Sequence, residues 1–183
     1  AGLWGAASAA RARAAFGLPD AAIDITLIAP DAFHTIRVRC YEADLAPIRV
    51  PLDEVLAPIG VTRIEDRVTG LDPAARTLAR AGGPALAYDR LLLAAGSALA
   101  VPAIPRAQLT FDVDTYAGAS RLGAHLAGLA GQSTPAARTA VVIGGGLAGI
   151  ELACELPARL PVPSRVVLVD HGEIGTAMGA GRP

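Results

Sequence analysis

The fold is decided by the stretch TAVVIGGGLAGIELACEL at residues 139–156, which is followed, after a proline-rich link, by RVVLVD at residues 165–170. The apolar run at 140–143 predicts a short buried strand, and the apolar spacing after the glycines predicts a helix. Gly144, Gly146 and Gly149 stand at the spacing G-x-G-x-x-G, and residues 165–169 predict a second strand ending on Asp170. This order of elements, with roughly 20 residues between turn and acid, predicts a βαβ unit that binds a dinucleotide.

Each residue type in this motif has a physical role in holding a pyrophosphate. Gly144 permits a tight turn, Gly146 lets the backbone approach the phosphates, and Gly149 lets helix and strand pack closely. The helix N-terminus presents free N–H groups and a partial positive charge to an anion. The alternative is a purely structural turn, which the ordered set of elements disfavours. The predicted binding residues of this unit are Gly144, Gly145, Gly146, Leu147, Gly149 and Asp170.

The acid at the end of the second strand predicts which nicotinamide cofactor binds. A carboxylate at Asp170 accepts a hydrogen bond from the free ribose 2′-hydroxyl of NAD(H) but repels the 2′-phosphate of NADP(H). The next residues are His171, Gly172 and Glu173, and none of them is an arginine that would bind a phosphate. NADH is therefore the predicted cofactor.

The composition excludes several classes of function. The 183 residues carry a net charge of −1, which gives no reason to expect a nucleic acid as partner, and 52% of them are hydrophobic, which is enough for a core. No apolar run approaches the roughly 20 residues of a membrane span. All 16 Lys and Arg residues are arginines, which excludes a P-loop lysine, a Schiff-base lysine and the Tyr-x-x-x-Lys pair of short-chain dehydrogenases within this segment. Cys40 and Cys154 lie far apart and form no redox pair or zinc-ligand spacing.

The order of elements predicts an α/β fold with two nested Rossmann-like domains, one for each dinucleotide. The chain opens on an alanine-rich helix at about residues 2–16 and a strand at 23–28, as a βαβ unit would without its first strand. Short strand-like runs at 61–68, 76–78 and 85–87 predict a small antiparallel meander, and residues 91–97 predict a buried strand. We expect a first domain at 1–108 that lacks its first strand, an extended linker at 101–105, a helix at about 115–129, and a second domain at 109–183 with only its first βαβ unit.

Three segments resemble flavoproteins with two dinucleotide-binding domains, the pyridine-nucleotide oxidoreductases, and most of all the FAD-dependent type II NADH dehydrogenases. The first segment is ITLIAPDAFHTIRVRCYEADL at 25–45, similar to a strand and a His-containing segment beside the flavin. The second is YDRLLLAAGSALAVPAIP at 88–105, which resembles the family's second FAD motif. The third is the glycine motif described above. The resemblance implies bound FAD and NAD and a fragment that is inactive by itself.

The resemblance also implies roles for individual residues. Gly2 would border the FAD pyrophosphate and Val68 the adenine. Glu151 matches a glutamate that faces the flavin and could assist proton handling, and its alternative is an ordinary acid in the first turn of the helix. For His34 the alternatives are a position beside the flavin and a hydrogen-bonded structural histidine. The remaining residues implied on the FAD side are Ala95, Gly96 and Ser97.

One departure from the family concerns the ribose of FAD. The first strand should end on an acid, but this position holds Ala29, so Asp31 is the candidate substitute. The implied function is hydride transfer from NADH to bound FAD and on to an acceptor, a quinone or a small redox protein. The alternatives are a ferredoxin- or rubredoxin-type NAD reductase and a flavin-less NADH-binding sensor. The resemblance further implies a cytoplasmic protein with a peripheral contact at the inner membrane face through a region beyond residue 183.

Overall fold

A computed structural model describes residues 1–100 and 103–175 of the chain. The chain divides into two compact units, one formed by residues 1–34 and 49–98 and the other by residues 35–48 and 99–183. The segment 35–48 therefore belongs to the compact unit that also contains the glycine motif. The assignment of residues 1–108 and 109–183 to an FAD and an NAD domain stays a prediction.

The first unit opens on a long helix and continues with short strands. Its helices are α1 (Gly2–Ala15) and α2 (Leu52–Leu56), and its strands are β1 (Thr26–Ala29), β2 (Phe33–Thr35), β3 (Arg49–Pro51), β4 (Thr62–Glu65), β5 (Val68–Asp72), β6 (Thr77–Arg80) and β7 (Gly83–Ala87). β1 pairs with β4 in parallel, and β2 pairs with β3. The predicted strand at 23–28 thus begins later than expected, because the Ile23 carbonyl accepts a hydrogen bond from Arg13 and does not enter the sheet.

The core of the first unit is built from small and branched apolar residues. Ala6 and Ala10 of α1 pack with Leu52 and Leu56 of α2 and with Val61 just before β4. The two alanines have almost no side chain to hold the helix away from the strands. Helix α1 therefore lies close to the sheet, and the core needs no aromatic residue.

A buried arginine ties α1 to two loops of this unit. The side chain of Arg13 is 3% exposed, yet its guanidinium donates to the backbone carbonyls of Asp20, Ile23, Ile59 and Gly60. It also forms an ion pair of 2.5 Å with the exposed carboxylate of Asp20. Because burial of a charge is costly unless it is paired and hydrogen-bonded, this set of acceptors is what keeps the charge inside.

The predicted antiparallel meander is present, but its bounds differ from the prediction. β5, β6 and β7 form a three-stranded antiparallel sheet in sequence order. The run at 61–68 is divided between two sheets, since β4 pairs with β1 and only Val68 starts the meander. Alternating apolar residues reveal a strand but do not reveal its partner.

The predicted buried strand at 91–97 is wrong. Residues 89–100 form neither helix nor strand, and Leu92 and Leu93 are 66% and 71% exposed. The segment is apolar, but a buried strand also needs hydrogen-bonded neighbours. β1 and β4 pair with each other instead. The predicted linker that follows contains Val101 and Pro102, which lie outside the described residues.

The second unit contains the glycine motif and its neighbouring helix. Its elements are α3 (Tyr116–Gly128), β8 (Thr139–Ile143), α4 (Leu147–Arg159) and β9 (Arg165–Val169). One apolar core joins Leu122 and Leu126 of α3 to Val142 of β8 and Leu156 of α4. The predicted helix at about 115–129 is confirmed, and the Thr115 side chain caps it by accepting a hydrogen bond from Gly118 N at 3.0 Å.

The segment 35–48 packs onto α3 within this second unit. Cys40 and Ile48 are buried against Ala119 of α3. The Arg37 side chain forms an ion pair with Asp114 and also donates to its backbone carbonyl at 3.1 Å. No helix in the described part of the chain is long and apolar enough to cross a membrane.

Replacing Arg13 tests whether its buried hydrogen bonds hold the first unit together. We expect Arg13→Met to lower the free energy of unfolding by about 3 kcal/mol, because the part-buried hydrogen bonds to four carbonyls and the ion pair with Asp20 are lost together. Urea unfolding followed by far-UV circular dichroism measures the change. Arg11→Met is the matched control on the same helix, and its exposed side chain predicts a change within about 0.5 kcal/mol. Equal effects of the two substitutions would contradict the assigned role.

Candidate functional site

The glycine turn lies where two parallel strands end together. β8 and β9 pair in register from Thr139 opposite Arg165 to Ile143 opposite Val169, so both carboxyl ends reach the same edge. Gly144 N donates to Val169 O at 2.8 Å and extends the ladder by one bond. Its φ of +111° is one that side-chain-bearing residues rarely adopt. The chain therefore leaves the strand at Gly144 and turns directly into α4.

Gly149 sets how closely α4 approaches this turn. A Cβ at residue 149 would lie 1.9 Å from the carbonyl oxygen of Gly144, which is backbone and cannot move aside. At Gly146, by contrast, a Cβ would meet nothing within 4 Å. The last glycine is thus required by packing inside the protein, while the middle one leaves open space in front of the helix. A cradle of this kind fits a pyrophosphate.

The first turn of α4 begins with N–H groups that no side chain in the described part of the chain caps. Gly146 is the N-cap residue, no side chain caps the helix, and no acid occupies its first turn. The first N–H groups of a helix have no partner within the helix, and they carry its positive partial charge. Leu147 begins the helix with its side chain exposed. These features give the turn the electrostatics of an anion site.

The Asp170 carboxylate lies directly at the glycine turn. Asp170 Oδ2 accepts a hydrogen bond from Gly145 N at 2.5 Å, and Oδ1 accepts one from Gly172 N at 2.8 Å. The hydrogen bond from Gly145 is the main reason that the pKa of Asp170 is lowered. The carboxylate therefore stays ionised, and it joins the end of β9 to the turn after β8.

Gly145 has a role that the motif alone does not assign to it. A Cβ at this residue would lie 3.1 Å from Ile174 Cγ1 and 3.2 Å from Asp170 Oδ2. The position is an unspecified one in G-x-G-x-x-G, so the motif supplies no signal for it. The reason for a glycine here is the loop after β9, which closes against the turn.

Glu151 does not lie in the first helical turn, so that expected alternative is wrong. It is exposed on α4, one turn before Glu155, and both carboxylates act on Tyr41. The pKa of Tyr41 is raised, first by burial and then by the charge of Glu151. No local pattern predicts this proximity, because Tyr41 and Glu151 are separated by more than half of the chain. Proton handling by Glu151 stays a prediction.

The residues implied on the FAD side are partly brought together in the first unit. Gly2 begins α1, and a Cβ there would touch Ala94 Cβ at 3.4 Å, so the helix start lies beside the segment that contains Ala95, Gly96 and Ser97. Gly96 has φ of +77° and open space around its Cβ position. Val68 starts β5, where it pairs with Arg80. Roles of these residues in holding FAD stay predictions.

The candidate substitute for the missing ribose acid is already engaged. Asp31 Oδ1 accepts from Phe33 N at 3.0 Å and from Arg49 Nη2 at 3.1 Å. The Arg49 guanidinium also lies over the Phe33 ring, 3.9 Å from its centre. Asp31 therefore holds a tight turn between β1 and β2, and His34 follows within β2. This cation–π contact was not anticipated from the sequence.

The geometry of the second unit is that of a dinucleotide-binding βαβ motif, and comparison with known proteins agrees. The family model described as pyridine nucleotide-disulphide oxidoreductase matches residues 1–178. The chain belongs to this family. The predicted resemblance is thereby confirmed at the level of the oxidoreductase family.

The chain is also similar to two curated relatives and to one solved structure. An NADH dehydrogenase-like protein of Mycobacterium tuberculosis is 48% identical over 98% of this chain and 48% of its own length. A demethylphylloquinone reductase of Synechocystis is 29% identical over 85% of this chain and 39% of its own length. The sulfide:quinone oxidoreductase of Aquifex aeolicus superposes with a TM-score of 0.68 at 23% identity, covering 86% of this chain and 37% of that one.

These matches confirm the α/β, Rossmann-like fold class. The chain spans about half the length of the NADH dehydrogenase-like relative. Although the family is named for disulphides, Cys40 and Cys154 are both free, the first buried and the second exposed. No group of His, Cys, Asp or Glu in residues 1–100 and 103–175 is arranged to hold a metal ion.

Substituting alanine at Gly149 or at Gly146 tests whether α4 packs against the turn at the first residue and leaves open space at the second. We expect Gly149→Ala to lower the free energy of unfolding by at least about 2 kcal/mol, because the new Cβ collides with the Gly144 carbonyl. Gly146→Ala is the matched control and should cost less than about 1 kcal/mol, since its Cβ enters empty space at a helix cap. Chemical denaturation of both variants measures the difference. Equal losses would show that α4 does not approach the turn as described.

The lowered pKa of Asp170 predicts a pH dependence of stability. An acid with a lowered pKa in the folded state stabilises the fold above its unfolded pKa, and this stabilisation is lost as the pH falls through the folded value. The melting temperature of the unsubstituted chain should exceed that of Asp170→Asn near neutrality. The difference should shrink below about pH 4, where aspartates protonate. Thermal melts across this range measure it, and a gap independent of pH would contradict the ionised carboxylate.

Proposed function

We propose that this chain belongs to a flavoprotein that oxidises NADH through bound FAD and passes the electrons to a quinone. The observation that carries the proposal is the turn between β8 and α4. Its glycines leave open backbone before a helix N-terminus, and a carboxylate from the end of β9 lies beside it. Because the chain spans about half of its NADH dehydrogenase-like relative, the activity is proposed for the protein as a whole.

The preference for NADH over NADPH rests on Asp170. Its Oδ2 accepts a hydrogen bond from Gly145 N, while Oδ1 accepts one from Gly172 N and also lies 3.2 Å from His171 Nδ1. A carboxylate has about four lone-pair positions, so acceptor capacity remains on Oδ2 for a ribose hydroxyl. The negative charge is maintained by the Gly145 hydrogen bond, and it would repel a 2′-phosphate. The residue thus combines selection of the cofactor with support of the turn.

The proposal of FAD rests on the family and on the first unit. Gly2 at the start of α1 lies beside the Ala94 side chain, and the small residues Ala95, Gly96 and Ser97 come next in the chain. When bound, FAD would accept a hydride from NADH. The chain's own contribution is binding and orientation, and no acid–base residue is needed for hydride transfer.

The proposal of a quinone as acceptor is supported by one relative. The Synechocystis protein is named a demethylphylloquinone reductase, and its alignment covers 85% of this chain. A small iron–sulfur protein is the other acceptor to be tested. The cytoplasmic location and the peripheral membrane contact stay predictions.

A second candidate function is a flavin-less NADH-binding sensor. It is favoured by Ala29 at the end of β1 and by the engagement of Asp31 with Phe33 and Arg49, which leave the first unit without an evident ribose acid. A protein of this kind would bind NADH at the turn before α4 and would bind no FAD at the start of α1. The two functions therefore differ in flavin content.

Flavin content and cofactor preference test these functions together. We expect the purified protein to show visible flavin absorbance that NADH bleaches and a quinone restores. A colourless protein that still binds NADH would favour the sensor. Restoration by a ferredoxin and not by a quinone would overturn the proposed acceptor.

Substitution of Asp170 tests the NAD site separately. We expect Asp170→Asn to lower the ratio of NADH to NADPH affinity about tenfold, because removal of the charge ends the repulsion of the 2′-phosphate. Fluorescence titration with both nucleotides measures the ratio. Glu155→Gln, an acid of α4 outside the turn, is the control and should leave the ratio unchanged. An unchanged ratio in Asp170→Asn would remove the basis for the NADH assignment.

A further inference from the structure

A groove in the second unit lies between the C-terminal parts of α3 and α4. It is a shallow depression of about 500 Å³ that is open to solvent, and its lining includes Gly123, Ala127 and Ala130 on the α3 side and Ala158, Arg159 and Pro161 on the α4 side. We call this the α3–α4 groove. Its volume lies within the range of roughly 300–1,000 Å³ typical of small-molecule sites. It takes no part in the glycine turn, which lies at the opposite, N-terminal end of α4.

Among the described residues that line the groove, Arg159 is the one charged side chain, and its guanidinium makes one hydrogen bond within this part of the chain. Its Nη1 donates to Tyr41 O at 3.2 Å. Within residues 1–100 and 103–175, no carboxylate lies within ion-pair distance of its guanidinium, which has five N–H donors. Burial lowers the pKa of Arg159, and the charge of Glu155 acts in the opposite direction.

Small apolar side chains surround this cation. The alanines, the glycine and the proline of the lining have no polar side-chain atoms, so a ligand there meets a mainly apolar wall and one guanidinium. An arginine fork binds a carboxylate through two parallel hydrogen bonds. A site of mostly apolar lining with one fixed polar group selects a ligand with an apolar body and a single charged end.

The surrounding charges favour a monoanion over a dianion. Glu155 lies one turn before Arg159 on α4 and acts on it electrostatically. Glu42 is occupied by an ion pair with Arg39 of 2.5 Å. A phosphate ester carries two negative charges, and the single guanidinium of the groove would neutralise only one of them. A carboxylate adds one charge and matches the one guanidinium.

We propose that the α3–α4 groove binds a small amphipathic carboxylate, with its charged end on Arg159 and its apolar body along the alanines of α3. The site is separate from the dinucleotide turn and does not depend on the proposed oxidoreductase activity. The ligand class is defined by one carboxylate and one unbranched or cyclic apolar group.

The probe is octanoate. Its neutral counterpart is octan-1-ol, which has the same number of carbons and no charge. We expect octanoate to bind the full chain saturably in isothermal titration calorimetry, and octan-1-ol to bind more weakly. Arg159→Gln keeps one donor for Tyr41 but removes the charge. It should weaken octanoate on the order of tenfold and leave octan-1-ol unchanged.

Two further variants keep the test decisive. Ala127→Leu places a larger side chain at an exposed lining position, and it should weaken octanoate and octan-1-ol alike without affecting the fold. Arg165→Gln, an exposed arginine of the same unit outside the groove, should change neither. Affinity for NADH should be the same in all of these variants. Absence of saturable octanoate binding, or equal affinity for octanoate in Arg159→Gln and the unsubstituted chain, would overturn the proposal.

Discussion

The close approach of Gly149 to the Gly144 carbonyl is the constraint on which the second unit depends. Only a residue without Cβ can lie there, since a methyl carbon would stand 1.9 Å from a backbone oxygen. That contact fixes where α4 starts relative to the ends of β8 and β9. The helix N-terminus, the open space at Gly146 and the carboxylate of Asp170 all take their positions from it. The anion-binding character of the turn is therefore a consequence of backbone packing.

A second constraint is electrostatic and acts on both units in different ways. In the first unit, Arg13 is buried and satisfied by backbone carbonyls, so its charge serves the fold. In the second unit, Asp170 is held ionised by backbone N–H groups at the turn, so its charge is available to a ligand. Arg159 is an intermediate case, with one backbone acceptor and an apolar groove in front of its remaining donors.

Membership of the pyridine nucleotide-disulphide oxidoreductases agrees with this distribution of roles. The family likeness extends over residues 1–178, although the two units differ in how completely they present a site. In the second, glycines, helix and acid converge on one turn. In the first, Gly2 lies beside Ala94, while Asp31 is committed to a turn with Phe33 and Arg49. More residues therefore converge on the proposed NADH site than on the proposed FAD site.

The sequence by itself determined the βαβ unit of the glycine motif, because strand, turn, helix and acid follow each other within about 30 residues and local spacing specifies them. It also determined α3 and the meander, which depend on neighbouring residues. It did not determine the pairing of β4 with β1, the exposed course of residues 91–93, or the contact of Tyr41 with α4. Each of these depends on partners that are distant in sequence. Apolar patterning predicts that a residue is buried, but it does not predict which residues bury it. Only the tertiary structure decided them, together with the tight space at Gly145, where the side chains of Asp170 and Ile174 lie against the turn.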